Sequence, residues 1–159
     1  MKSLLPIIFC GLSLGGYSQV NAIMPPEADL FYNNAMQNIQ PQIKSTIEKN
    51  ANNLKGRKVN ADSLSGLLRA GQSLKYLSQQ EIEAITILIL VQVSKNADAD
   101  LKDIVLNVQN NNDNDSQANN TRSIKAATIL NNKSQIAEYI SLWMKRISGS
   151  QNMIIEQLK

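Results

Sequence analysis

Apolar residues recur along most of this chain three and four positions apart, the spacing that gives a helix one apolar face. The first such stretch follows Pro25 and Pro26, with Glu27 and Asp29 placed to favour the first turn of a helix. Met36, Ile39, Ile43, Ile47 and Leu54 continue its face. Pro41 falls inside that pattern, so the helix either kinks there or begins afresh. Gly56, within Lys55-Gly56-Arg57-Lys58, ends it. A second helix is expected from Asn60 or Asp62, with a leucine face of Leu64, Leu67, Leu68, Leu74 and Leu77. Gly66 and Gly71 weaken it by roughly 1 kcal/mol each relative to alanine, and make it a candidate for close approach by a partner helix.

Ser78-Gln79-Gln80-Glu81 has the form of a capping box and opens a third helix. Residues 82–93 are apolar nearly all round, which marks the central element of the fold. Ala97, Leu101, Ile104, Val105 and Val108 carry the pattern on, and the sequence leaves open whether the helix breaks near Asn96 to Asp98. Residues 110–120 are polar throughout and predict a flexible loop. A last helix capped by Thr121 or Ser123 would present Ile124, Ala127, Leu130, Ile136, Ala137, Ile140, Trp143, Met144 and Ile147. Gly149-Ser150 interrupts it before Met153, Ile154, Ile155 and Leu158. The expectation is an all-α protein, an antiparallel bundle of four to five helices.

The start of the chain reads differently. Lys2 precedes an apolar stretch from Leu4 to Leu14, and a small-residue region leads to Val20-Asn21-Ala22. This order is that of a secretory signal peptide, with cleavage favoured after Ala22 and Ser18 as the alternative. The stretch is too short to span a bilayer, which needs about 18 to 20 apolar residues. Phe9 and Ile8 stand before Cys10 where lipid attachment would want small residues. The domains expected are therefore a signal peptide, 1–22, and one helical domain, 23–159, that is exported to the periplasm or the extracellular space.

Composition narrows the chemistry. The chain has no histidine and one cysteine, and Cys10 would leave with the signal. Without either residue, nucleophile–imidazole pairs, thiolate or imidazole metal sites and histidine acid–base chemistry are excluded. The net charge of +3 is too small to argue for nucleic acid. Asp113-Asn114-Asp115 resembles the start of a calcium loop, but Ala118 and Ile124 stand where glycine and a bidentate glutamate belong. Asp98, Asp100 and Asp103 are expected on a solvated face, paired with Lys95 and Lys102. Glu81 and Glu83 diverge on a helix and make no acid–base pair.

No cofactor, metal or catalytic group is therefore expected. The sequence favours a non-enzymatic binding or structural protein, acting on an unidentified protein partner or by self-association. The alternative is a membrane-active effector using residues 82–93, and membrane contact is the less favoured reading. Candidate partner-binding residues are Trp143 and Tyr139, which stand out among few aromatics, together with Gly66 and Gly71. Trp143 is read first as a core anchor, and as a contact residue only if exposed.

Overall fold

A computed structural model describes residues 24–60, Leu64, 76–110 and 116–159. The described residues are all-helical and form a bundle-like arrangement of α1 (Pro26–Asn38), α2 (Pro41–Asn53), α3 (Gln79–Asn110), α4 (Ser116–Arg146) and α5 (Gln151–Gln157). The proposed start, 1–22, and most of the expected helix at 60–77, with Gly66 and Gly71, lie outside the described residues. Leu64 is helical and buried there, its N–H donating to the Asn60 carbonyl.

Pro41 begins a helix afresh instead of kinking one. The ring crowds the preceding residue out of the helical region, and Gln40 is extended at φ −57°, ψ 143°. Proline at the first helical position then costs α2 no hydrogen bond that it would otherwise make. The Gln40 N–H, freed at this break, donates to the Leu158 carbonyl at 2.9 Å, tying the reversal to the C-terminus.

The capping box forms as its spacing requires. Glu81 N–H donates to Ser78 Oγ at 3.3 Å, and Ser78 N–H donates to Glu81 Oε2 at 2.6 Å. From there α3 runs unbroken through Asn96 to Asp98. Neither glycine nor proline interrupts it, and Asn96 is engaged from outside its backbone: Gln92 Nε2 donates to its Oδ1, and its Nδ2 reaches Asn52.

The expected loop at 110–120 is shorter at its C-terminal side, because α4 starts at Ser116 and not at a cap on Thr121 or Ser123. Those two hydroxyls, with Thr128, donate to the carbonyls four residues back, so polar side chains are accommodated inside the helix. A helix needs no apolar face to persist where it extends one that has it. Gly149, at φ +87°, terminates the turn after α4 and lets α5 fold back.

Cross-helix pairs set the directions. Asp98 with Lys133 and Glu83 with Arg146 make α3 and α4 antiparallel. Asp29 with Lys95 and Tyr32 with Gln92 make α1 antiparallel to α3 as well. Asn52 with Asn96 and Lys55 with Asp100 make α2 run alongside α3 in the same sense. The core lies where all of these meet. Every residue from Ala84 to Val91 is fully buried in α3, packed with Phe31, Ile47, Ile140, Trp143, Ile147 and Ile154. Thr86 is polar within this core, and its hydroxyl donates to the Ile82 carbonyl at 2.7 Å. No buried polar side-chain atom among the described residues lacks a partner.

Candidate interaction surface

At 1.5 Å per residue, the 32 residues of α3 extend about 48 Å, whereas the 13 of α1 or α2 extend about 20 Å. The short helices cover α3 only as far as Lys95 and Asp100, the positions paired with Asp29 and Lys55. Beyond this, α3 and the first half of α4 form a two-helix arm. Two helices side by side bury one stripe each and leave their other faces to solvent.

The arm is not correspondingly polar. Val105, Leu106, Ile124 and Leu130 are 54%, 43%, 62% and 37% exposed. Val105, Ile124, Ala127 and Leu130, expected on core-facing stripes, are instead exposed. In α4 the stripe that is buried runs Ile129, Ile136, Ile140, Trp143, Ile147, and Ile124 stands five residues before Ile129, off that line. The signal was present in the spacing: a buried stripe steps by three, four or seven, and a step of five leaves it. Leu106, which falls outside the pattern of Leu101, Ile104 and Val105, could have been recognised in the same way.

The sequence-predicted residues do not converge on this arm. Trp143 is 5% exposed and belongs to the core, so it is an anchor and not a contact residue. Tyr139 packs half-buried against the same core. The Asp98–Asp103 cluster also differs from expectation. Asp98 pairs with Lys133 of α4, Asp100 with Lys55 in the turn after α2, and Lys95 with Asp29 of α1. The turn after α2, α3 and α4 meet around Asp100, which brings lysines from other elements within reach of these carboxylates. The Asp100 carboxylate, at 2.7 Å, bonds Lys55 Nζ and raises the Lys55 pKa above its ordinary value.

Lys55, Lys95, Lys133 and Arg146 each pair with an acidic residue of another element. Lys102, Arg122 and Lys125 in the arm join no ion pair among the described residues, and neither do Lys44, Lys49, Arg57, Lys58 and Lys145 elsewhere.

A cavity of about 30 Å³ lies between Leu54, Val93, Ala97, Asp100, Ile129 and Ile136, room for water and not for a substrate. Among the described residues no group of three or more acidic, sulfur- or imidazole-bearing side chains is placed to hold a metal ion. No described helix is long and apolar enough to cross a membrane. Comparison with protein-family models, with curated proteins and with solved structures returned no match.

Proposed function

We propose that this is an exported, non-enzymatic helical protein of the cell envelope or extracellular space, an antiparallel bundle that works by binding a protein partner. One observation carries the reading: the α3–α4 arm exposes Val105, Leu106, Ile124 and Leu130 beyond the part of the bundle that has a core. Large apolar side chains left in water carry a free-energy cost that a covering surface removes. The position of the proposed cleavage accords with export. Met24 packs against the core and α1 starts at Pro26, so a cut after Ala22 leaves every described residue in place.

The test has two parts. N-terminal sequencing of the protein recovered outside the cytoplasm should begin at Ile23; an intact Met1 end in that fraction would refute the signal peptide. Cross-linking from the arm, through a photoreactive residue placed in turn at Val105, Leu106, Ile124 and Leu130, should yield a discrete protein adduct in envelope or culture-medium fractions. Absence of any adduct at all four positions, with efficient cross-linking from a control site, would refute the binding role.

A further inference from the structure

A cleft of about 640 Å³ opens where the start of α1 lies against the end of α4 and the start of α5. It stands apart from the arm, which uses the first half of α4, and its volume falls in the range of about 300–1,000 Å³ typical of small-molecule sites. Its apolar surface comes from the rings of Pro25 and Pro26 and from Met144, which is 4% exposed.

Two charges border this surface. Glu27 stands in the first turn of α1 and Lys145 in the last turn of α4. Neither joins an ion pair among the described residues, and they do not pair with each other across the cleft. Ser141, Ser148 and Gln151 complete the lining. Thr121, Ser123 and Thr128 in the same helix as Ser141 donate to the carbonyl four residues back, but the Ser141 hydroxyl does not. The side chains of Ser148 and Gln151 likewise make no hydrogen bond among the described residues.

We propose that this cleft binds a short peptide of about three residues by its free ends, the ammonium on Glu27 and the carboxylate on Lys145. A ligand that satisfies both a carboxylate and an ammonium must carry both charges itself. Serine hydroxyls and a glutamine amide each donate and accept, which matches the N–H and C=O groups of the peptide bonds between the two ends. A sphere of 640 Å³ is about 11 Å across, the span of about three extended residues. A free amino acid carries both charges on one carbon and has no peptide bond for the three neutral groups. The walls of Pro25, Pro26 and Met144 suit small apolar side chains on the ligand.

The probes are trialanine with free ends, its N-acetylated form, its C-terminal amide and free alanine. Each is titrated into the isotope-labelled full chain as its host processes it, and amide chemical shifts are followed. Trialanine should bind with a Kd on the order of 0.1–1 mM, as a ligand of its size allows. Blocking either end should weaken it about tenfold, and free alanine should bind about tenfold weaker or more. Glu27→Gln should weaken free trialanine about tenfold and the acetylated form less than about twofold, and Lys145→Gln should do the same for the amide. Helicity by circular dichroism should be unchanged. Leu106→Gln with Ile124→Gln in the arm should leave every affinity within about twofold, so failure here and failure of the arm are read apart.

No binding of trialanine at about 10 mM would overturn the site. Indifference to both blocking groups, or to both substitutions, would overturn the assignment of the two ends. Equal loss of all three peptides on Glu27→Gln would make Glu27 structural and overturn its contact with the ammonium. Alanine bound as tightly as trialanine would overturn the peptide and make a free amino acid the ligand.

Discussion

The guanidinium of Arg146 stands over the ring of Trp143, 5.7 Å from its centroid, while its Nη1 approaches Glu83 Oε1 at 3.8 Å. The indole is thereby closed off on its outer side by a cation that itself remains largely in water. Trp143 is the only tryptophan of the chain, so its fluorescence reports directly on this part of the core.

Trp143→Ala should destabilise the protein by about 3–5 kcal/mol, the range for truncating a large buried aromatic residue. Arg146→Ala should cost about 1 kcal/mol, because the guanidinium is 60% exposed, its approach to Glu83 is long at 3.8 Å, and the mostly buried Glu83 carboxylate keeps the hydrogen bond it accepts from Gln79. Urea unfolding followed by circular dichroism measures both. A Trp143→Ala loss below about 1 kcal/mol would show that the indole is not an anchor.

Ser78→Ala should cost about 1 kcal/mol, and Glu81→Ala a comparable amount, each removing one half of the capping box. The double variant should lose less than the sum, since the two bonds fix the same turn. Strict additivity in equilibrium unfolding would mean that the two bonds act independently.

Gly149 and Gly56 have φ of +87° and +70°, and a Cβ built at either meets nothing within 4 Å. Gly149→Ala should therefore cost about 1–2 kcal/mol through backbone conformation alone. Gly149→Asn should cost less, because asparagine tolerates the left-handed region. If alanine and asparagine proved equally neutral, the turn before α5 would have to adopt a different backbone.

Tyr32 donates its hydroxyl proton to Gln92 Oε1, and Lys95 Nζ lies 5.1 Å from its ring centroid. Burial pushes the phenol above its usual 10.0, and the charges of Glu48 and Asp29 add to the shift. The folded state thus holds this proton more tightly than the unfolded chain does. Its contribution to stability is complete below the unfolded value and is lost as pH rises from about 10 through the folded pKa. Tyr32→Phe should cost about 1 kcal/mol at neutral pH and flatten the alkaline fall in stability. Unfolding midpoints measured from neutral pH to beyond pH 10 check it; an unchanged alkaline slope would assign that slope to other groups.

Local chemistry accounts for the features that were legible from residues alone. Helix starts at Pro26, at Pro41 and after Ser78 each depend on a proline φ or a side chain bonding within one turn, and so does the stop at Gly149. The all-round apolar run of α3 likewise identifies the core without reference to a neighbour. The candidate site was not legible in the same way. Trp143 and Tyr139 attract notice as scarce aromatics, but scarcity carries no information about which face of a helix is covered.

What the sequence by itself determined, then, is a chain of helices, their caps and breaks, and the segment that lies at the centre. Periodicity supplies these because they are properties of one helix and its own solvation. Only the tertiary structure decided where coverage ends. Val105 in the arm and Val93 in the core have similar sequence credentials, yet one is exposed and the other buried, because α1 and α2 are shorter than α3 and stop near Lys95 and Asp100. The same packing redirected Asp98 and Asp100 from neighbours on their own helix to Lys133 of α4 and to Lys55 in the turn after α2. Burial and charge pairing depend on which elements pack together, and spacing along a single helix does not encode its neighbours' lengths.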